Sequence, residues 1–594
     1  MTIATDILDR AEQLAQKRQP WEKVWLDTVK YALPMGERFF SYSAGARRSA
    51  IDGFAAGPRS EERGRDIFDA TSVWSVDRLT AGLESLTTPG SEKWHGLGPV
   101  DPLAPEPSDE EQEWFDRYRD YLFAARYEPR GGFSLANQQA IRSAIALGTG
   151  IYLVQEAFGR KDGTAHALPF RYRSIPLSES FIATDEQGEP DTLYRRFSMT
   201  ARQIVQKFGD AAADRVKAAA DDPKDKDKQF ELVHAVFPRE ERGASGAQNR
   251  DTAYASVYVD ADHRHLIGES GFFEFPYVVY YWQQDATSGY GESPVMLALA
   301  EIKSLNLLSK HTMRAVQQWT NPPLGIPSDG VVKRPNLNPG AVNPGAIDEQ
   351  GRSRIQPIVT AQNPSFIQQV LEVKREQLRE SLFVNLFQIL VSNPQMTATE
   401  ALIRANEKGE LLGPAGAKIQ AGLARLVERE TGILGRKGVF EPGTPLEPPD
   451  TMSGRSFGVR FRAPLDRLRR SNELVGVQRT FEFAGQIAQF DPTVLDRLDT
   501  DRALDLAQEI NGAPRAIFKR DEEVADLRAE REQMAQAQTI VAGADQLAEA
   551  ANNALPALEN SNEILEQFGV ANAAGAAAGQ PVSAAADPGL PEPV

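Results

Sequence analysis

Cysteine is absent from this sequence of 594 residues. Its absence excludes disulfide bonds, thiolate metal sites and cysteine nucleophiles. It also points away from a small secreted fold held together by disulfides.

Basic charge is in deficit, because 66 lysines and arginines stand against 83 aspartates and glutamates and give a formal net charge of −17. A protein that holds nucleic acid mainly by neutralising phosphates is normally basic, at least over its binding domain. We therefore expect no extensive wrapping of DNA, although a local basic patch remains compatible with this composition.

Long apolar runs are missing as well. No stretch of 18 consecutive apolar residues occurs, so we expect no transmembrane helix and no membrane insertion. The first 14 residues alternate charged and apolar side chains and lack the apolar region of a secretory signal. The expectation is a large, soluble, intracellular chain, with about three or four domains on a soft prior of ~150 residues each.

Residues 1 to about 148 are predicted to be helical. An apolar period near 3.6 runs from Ile7 to Leu33 and is interrupted at Pro20, and residues 37–65 are rich in Gly, Ser and Arg and predict a long loop. Asp69 can cap a helix that ends near residue 86. Ser108 and Glu111 have the spacing of a capping box, and a further amphipathic stretch covers residues 133–147.

Residues 151–285 change character and predict a small antiparallel sheet or barrel with one helix inserted near 201–208. Short runs of β-branched and aromatic residues are separated by turn or charge clusters. These runs cover 151–154, 170–175, 192–197, 230–237, 253–259 and 276–282.

From residue 294 the period returns to helical. One helix is predicted over 294–319, and the proline-rich stretch up to 362 predicts turns with short strands at 330–332 and 355–359. Asn363 and Pro364 then open a second long helix. Its apolar stripe comprises Ile367, Val370, Leu371, Leu378, Leu382, Leu386 and Leu390.

The chain beyond residue 392 is predicted to be mostly helical. A capping box at Thr397 and Glu400 opens a helix that bends at residues 409–414 and resumes to 434. A strand is expected at 457–461 and helices over about 465–568. Residues 569–594 have no Lys, Arg or aromatic side chain and predict a disordered tail.

Catalytic motifs are missing. The sequence has no phosphate-binding Gly-x-x-x-x-Gly-Lys-Ser/Thr loop, no His-Glu-x-x-His and no Gly-x-Ser-x-Gly. His263 and His265 are two residues apart and could share a metal, but a hairpin turn is the favoured interpretation. We expect no enzyme, no cofactor and no metal site.

A basic face is predicted on the first long helix. Lys303, Lys310 and Arg314 fall within about 40° of one another at 100° per residue. This pattern is typical of a solvated face of an amphipathic helix. Alternatively, symmetric copies of the chain present the face to a polyanion.

Ten short segments resemble the portal, or head-to-tail connector, proteins of short-tailed bacteriophages, and the resemblance runs from about residue 21 to 463. In chain order they are Asp-Ala-Thr-Ser at 69–72, Leu-Thr-Ala-Gly-Leu at 79–83, Thr-Thr-Pro at 87–89, Lys-Trp at 93–94, Leu-Gly-Thr-Gly at 147–150, Tyr-Gly-Glu-Ser-Pro at 290–294, Ile-Lys-Ser-Leu-Asn at 302–306, Asn-Pro-Pro at 321–323, Met-Thr-Ala-Thr-Glu at 396–400 and Leu-Gly-Pro at 412–414. Their order and spacing together are more specific than any one of them.

The resemblance implies an α+β fold of the portal type, with mainly helical wing, stem and crown, a small antiparallel β subdomain and a clip poor in β structure. The implied parts are a wing at 1–293, stem helices at 294–320 and 363–391, a clip at 321–362 and a tunnel loop at 392–397 that carries Ser392, Asn393 and Gln395. They are followed by a wing helix and strand at 398–464 and a crown at 465–568. The disordered tail at 569–594 is predicted from composition alone, because the resemblance does not extend to it.

The resemblance also implies a role. The chain would form a ring, typically of twelve subunits, at one capsid vertex of the virion, assembled in the host cytoplasm. Expected partners are non-specific double-stranded DNA in the channel, the terminase large subunit, the major capsid and scaffolding proteins, and a tail adaptor protein.

Two alternatives remain at this stage. The chain could be a ring-shaped tail or head-completion adaptor, or it could be a hydrolase that acts on cell wall or nucleic acid. The missing catalytic motifs argue against the hydrolase.

Overall fold

The computed structural model describes residues 3–34, 64–101, 105, 107–157, 169–239, 252–285, 288–332, 334–358, 364–385, 398–452, 457–511, 517–519 and 523–538. The chain divides into two units, residues 1–513 and 514–594. In the second unit, residues 523–538 are helical. The predicted loop at 37–65 lies almost entirely outside the described residues, and the predicted tail lies wholly outside them.

Helix α1 (Ile3–Ala32) runs without a break through Pro20, so the predicted interruption there is wrong. Proline removes one backbone donor from a helix interior. Pro20 is exposed, however, and the buried stripe continues on the same side from Ile7 and Leu14 to Trp25 and Val29. Packing of this stripe outweighs the lost hydrogen bond.

The next three helices follow the sequence signals. They are α2 (Thr71–Thr87), α3 (Asp109–Arg126) and α4 (Phe133–Leu147). The capping box is present, since the Ser108 side chain accepts from the Glu111 amide and Glu111 accepts from the Ser108 amide. Helix α4 ends at Gly148, whose φ of 80° is left-handed.

Two antiparallel sheets form the β-rich region. A three-stranded sheet has the order β3-β2-β9, and a five-stranded meander follows chain order from β4 to β8. The strands are β2 (Thr149–Glu156), β3 (Phe170–Ile175), β4 (Ser180–Thr184), β5 (Pro190–Thr200), β6 (Gln229–Pro238), β7 (Tyr254–Asp260), β8 (His265–Phe272) and β9 (Tyr277–Tyr281). The sequence predicted one small sheet or a barrel in this region, whereas the structure has two separate sheets.

Two helices lie between β5 and β6. Helix α5 (Ala201–Phe208) has the predicted bounds, whereas α6 (Asp214–Asp221) was not predicted. The turn after β7 fits the favoured interpretation of the histidine pair. Asp260 accepts there from the His263 amide and ring, and the His265 ring contacts the Ala211 carbonyl oxygen at 3.2 Å.

A two-stranded sheet joins distant parts of the chain. Strand β1 (His95–Pro99) pairs antiparallel with the predicted strand near the end of the first unit, here β14 (Phe457–Phe461). Two further pairs have two residues per strand: β10 (Gln283–Gln284) with β11 (Gly291–Glu292), and β12 (Leu324–Gly325) with β13 (Gln356–Pro357). The strand expected at 330–332 is absent, and the one expected at 355–359 is met by β13.

The first long helix is divided at Ala298 into α7 (Pro294–Leu297) and α8 (Leu299–Thr320). The second, α9 (Pro364–Ser381), is shorter than predicted. It ends because Phe383 takes a left-handed φ of 58°, and Val384 donates back to the Arg379 carbonyl across that turn. The apolar stripe alone gave no sign of this stop.

Beyond residue 397, the described part of the first unit contains α10 (Ala398–Arg436), α11 (Pro464–Ala488) and α12 (Thr500–Asn511). Helix α10 is continuous through Pro414. The largest apolar core packs α1 to α4 and α8 to α10 against the three-stranded sheet. Smaller cores lie between α1 and the five-stranded sheet, and between that sheet and α5 and α6.

Candidate channel helices and their anchor

Helices α8 and α9 flank the proline-rich excursion and pack against each other. The β12–β13 pair closes the excursion beside the ends of the two helices, with Leu324 opposite Pro357. The amino-terminal half of α8 is packed into the core through Ile302 and Leu305. In its carboxyl-terminal half Met313, Val316 and Trp319 are exposed, and Trp319 is 64% exposed.

Lys303, the first residue of the predicted basic face, is held within the subunit. Its Nζ lies 2.6 Å from Asp27 Oδ2, so it joins α8 to α1. The two side chains remain 41% and 45% exposed, which limits the stability that this pair adds.

Lys310 and Arg314 have different surroundings. The Lys310 ammonium lies 5.0 Å from the centre of the Phe68 ring, within cation–π distance. Arg314 is exposed and forms no ion pair or hydrogen bond with another residue in the described part of the chain. Two members of the face therefore contact neighbouring segments of the same subunit, and Arg314 is the one available to an outside ligand.

An anchor beside this face was not predicted as a functional site. Asn306 Oδ1 accepts from the Phe68 amide at 2.7 Å and from the Asp69 amide at 3.3 Å. Its Nδ2 donates to the Asp66 carbonyl at 2.8 Å. The buried side chain of Asn306 thereby forms hydrogen bonds with backbone groups of residues 66, 68 and 69. The sequence predicted only that Asp69 caps the following helix.

Asp69 gathers three elements around one carboxylate. Its Oδ1 accepts from the Thr71 amide at 3.0 Å, and its Oδ2 accepts from Ser309 Oγ at 3.2 Å and from Arg375 Nε and Nη2 at 3.0 and 2.9 Å. Burial alone would raise the pKa of Asp69, but the hydrogen bonds from Thr71 and Arg375 outweigh it and lower that pKa. We call Asp69, Asn306, Ser309 and Arg375 the Asp69 anchor, because they join α2, α8 and α9.

A cleft of about 420 Å³ opens next to the anchor, between α2 and the end of α9. Trp74 lines it and is 67% exposed, which is unusual for so large an apolar side chain. Arg379 pairs there with Glu372 and Glu376, and Arg78 has no ion pair among the described residues. The lining itself holds three arginines and Asp69, and the paired Glu372 and Glu376 bring the charges to three of each sign. This surface therefore suits contact with protein better than with a polyanion.

The predicted tunnel-loop residues Ser392, Asn393 and Gln395 lie outside the described residues. Within the described part of the chain, no three His, Asp or Glu side chains are grouped so that they could hold a metal ion. None of the described helices combines the length and apolar composition that a membrane span requires.

Comparison with known proteins gives whole-chain matches. The profile of a family described as "Bacteriophage head to tail connecting protein" matches residues 4–518. The chain is 28% identical to the portal protein of Salmonella phage epsilon15 over 585 residues, covering 96% of this chain and 98% of that protein. It is 27% identical to the probable portal protein of Bordetella phage BPP-1 over 540 residues, or 89% and 91% of the two chains.

Proposed function

The chain belongs to the family of bacteriophage head to tail connecting proteins, and from this membership we propose that it acts as a phage portal protein. Copies of the chain form a ring at one capsid vertex. The ring is the conduit for DNA during packaging and ejection and the attachment site of the tail. The family is structural, so no reaction is assigned to its side chains.

The observation that carries this proposal is the extent of the matches. The family profile covers nearly the whole first unit, and the match with the portal protein of phage epsilon15 spans 96% of this chain and 98% of that protein. These relatives favour a portal over the alternative of a separate tail or head-completion adaptor.

Exposed apolar side chains support assembly into a ring. Trp74 in the cleft and Trp319 on α8 are each about two-thirds exposed. Tryptophan is enriched in buried protein interfaces. A closed ring uses heterologous contacts, in which one surface of a subunit meets a different surface of its neighbour. The Trp74 cleft and the exposed half of α8 are two such surfaces in our proposal.

The division into parts is proposed on the same basis. Residues 1–293 and 398–464 form the wing, α8 and α9 lie in the stem, 321–362 is the clip, 392–397 the tunnel loop and 465–568 the crown. Because the Asp69 anchor ties α2 to both long helices, it would join wing to stem. A ring built this way keeps the wing and the channel wall in register.

The channel wall is proposed to carry Lys303, Lys310 and Arg314 toward the lumen, with Ser392, Asn393 and Gln395 on a loop that enters it. Each neutralised phosphate adds affinity without sequence preference. A net acidic ring with a sparse basic girdle favours sliding of DNA over tight binding. Arg314 supplies the free charge, since Lys303 and Lys310 already contact Asp27 and Phe68.

Partners follow from the position at the vertex. We propose contacts with the terminase large subunit during packaging, with major capsid and scaffolding proteins during assembly in the host cytoplasm, and with a tail adaptor afterwards. The mature location is the head–tail junction of the virion.

Negative-stain electron microscopy of the purified full chain tests the proposal. We expect closed rings with a central channel, and particles whose rings bind purified terminase large subunit. Monomers alone under assembly conditions would overturn the portal assignment. Rings that localise along the tail by immunolabelling and do not bind terminase would instead indicate the adaptor.

A further inference from the structure

A second cleft lies in the β-rich region, away from the long helices. Its volume is about 220 Å³, and it opens where β3, β5 and α5 meet. The polar side chains that line it are Arg173, Glu179, Arg195, Ser198 and Gln203. The lining therefore holds two guanidinium groups and a single carboxylate.

Arg195 forms the buried wall of this cleft and is 5% exposed. Its Nε and Nη2 both donate to Glu179 Oε2, at 2.9 and 2.8 Å. Its Nη1 has no acceptor among the residues that the structure describes. Glu179, the one carboxylate among the described lining residues, thus accepts from Nε and Nη2 of Arg195 and leaves Nη1 available.

Further donors line the mouth of the cleft. The guanidinium of Arg173 on β3 has no hydrogen-bond acceptor in the described part of the chain. Gln203 Oε1 accepts from the Thr200 amide, which leaves the side-chain NH2 of Gln203 without a described acceptor. A cleft that offers several donors and one occupied carboxylate matches an oxygen-rich anionic group.

A third cation lies beside the cleft. The Lys207 ammonium lies 4.1 Å from the centre of the Tyr258 ring and donates to its hydroxyl at 3.1 Å. Burial of Lys207, together with the charges of Arg195 and Arg173, lowers the pKa of Lys207 to about 8. The positive charges of Lys207, Arg195 and Arg173 therefore repel one another.

We propose that this cleft binds one oxyanion, either a carboxylate or a phosphate group, between Arg173, Arg195 and Gln203. Three cations against Glu179 leave a local surplus of positive charge on a chain whose net charge is −17. The site lies outside the proposed channel helices and does not depend on the portal assignment. Its volume of about 220 Å³ is enough for a small oxyanion, such as an acidic side chain of a partner protein or free phosphate.

Binding of small anions to the purified full chain tests the site. Inorganic phosphate is titrated in one calorimetry series, and a short glutamate-containing peptide in a second. The wild-type chain should bind at least one of the two saturably, and the tighter of the two identifies the source of the oxyanion. Absence of saturable binding in both series would overturn the proposal.

Matched variants on one strand locate the binding. Arg173→Gln should weaken it by about ten-fold or more, because a charged hydrogen-bond donor is lost. Arg171→Gln removes an exposed arginine from the same strand but outside the cleft lining, so it should bind as the wild type does. Equal affinity of both variants would place the ligand elsewhere.

The charge of Lys207 provides a second readout. A bound oxyanion should raise the pKa of Lys207 above about 8. The pH dependence of its reaction with an amine-directed reagent, followed by mass spectrometry, measures this shift. A duplex oligonucleotide that binds in an Arg173-dependent manner would show that the ligand is a nucleic-acid backbone and would contradict the single-oxyanion site.

Discussion

Asp69 illustrates how one side chain can connect parts that are far apart in sequence. Its carboxylate is 4% exposed and accepts hydrogen bonds from α8 and α9 as well as from the start of α2. Since its partners include the charged Arg375, removing the carboxylate leaves a cation and two polar donors without their acceptor. Such losses cost more than the net value of the hydrogen bonds themselves.

Asp69→Ala should therefore lower the free energy of unfolding by about 1–3 kcal/mol, measured by chemical denaturation. Asp77→Ala, on the helix that follows Asp69, is the matched control, because Asp77 is half-exposed and pairs with Arg142 at the surface. It should cost less than about 1 kcal/mol. Equal losses for the two variants would contradict the central role of Asp69.

The same carboxylate has a pH signature. The pKa of Asp69 is lower in the folded chain than in the unfolded one. Its contribution to the free energy of unfolding is therefore complete above the unfolded pKa and is lost as pH falls through the folded pKa. This places its effect in acid, below about pH 4.

Two buried histidines make the stability depend on pH in a higher range than Asp69 does. His95 and His234 are 0% and 2% exposed, and burial lowers the pKa of both well below 6.5. The positive charge of Arg126, whose Nη1 lies 2.8 Å from His95 Nε2, lowers the pKa of His95 further. Both rings are therefore neutral in the folded chain and take up protons on unfolding below pH 6.5.

Stability should fall as pH decreases from 7 to 5.5, by up to about 1.4 kcal/mol per pH unit for each of these histidines. His95→Gln should make this pH slope shallower, whereas His311→Gln, at an exposed position on α8, should leave it unchanged. Urea denaturation at several pH values measures the slope. Parallel slopes for wild type and His95→Gln would show that His95 does not titrate on unfolding.

At the scale of elements, the junction between α4 and β2 depends on a glycine. Gly148 has a φ of 80°, and a Cβ there would lie 1.8 Å from the Gly291 carbonyl oxygen. The close approach lets β11 reach the start of β2, where the Gly291 amide donates to Thr149 Oγ1. A side chain at residue 148 would separate these segments.

Gly148→Ala should destabilise the chain by about 2–4 kcal/mol, from backbone strain and the clash together. Gly476→Ala is the contrasting variant, because Gly476 lies inside α11 with open space around it. It should stabilise by about 0.5–1 kcal/mol through helix propensity. Thermal and urea denaturation of the two variants should give shifts of opposite sign, and shifts of the same sign would contradict this account.

Local signals predicted many elements well. The capping box at Ser108, the glycine stop at residue 148 and the run of β-branched and aromatic residues at β3 each involve neighbours in sequence, and the elements begin or end where these signals indicate. The mixture of helices and small antiparallel sheets agrees with the α+β class that the resemblance implied. The resemblance to portal proteins, which the comparisons support, also rested on short segments in a fixed order.

Elements that depend on distant partners were missed. Strand β1 has the sequence His-Gly-Leu-Gly-Pro, which is poor in strand-forming residues and is a strand only because it pairs with β14. For α9 the prediction was too long instead. Its apolar stripe continues past Ser381, although the chain turns at Phe383. The Asp69 anchor could not be predicted either, because Asp69 and Arg375 meet only in the tertiary structure.

At the scale of the whole molecule, the proposed ring would control passage of DNA through its net charge and its geometry together. Arg314 is the member of the proposed basic face that has no ion pair or hydrogen bond among the described residues, and the chain as a whole has a net charge of −17. Affinity for DNA should then depend weakly on salt compared with a protein that wraps its DNA.

Arg314→Gln should reduce the salt dependence of duplex binding by assembled rings, with the log–log slope falling by about 0.9 for each phosphate that the variant no longer neutralises. Arg117→Gln, an exposed arginine on α3, should leave the slope as in wild type. Fluorescence titrations between low and physiological salt measure it. An unchanged slope in intact rings would place Arg314 outside the lumen, whereas failure to form rings would bear on the portal assignment itself.

The pairing of β1 with β14 has a consequence for synthesis of the chain. His95 leaves the ribosome about 370 residues before its strand partner Phe461. At 5–20 residues per second, that delay is roughly 20–70 s, during which β1 has no partner for its backbone donors and acceptors. The N-terminal helices can fold early, but this sheet closes only near the end of translation, so nascent chains stalled before codon 457 should remain sensitive to protease around residues 95–99.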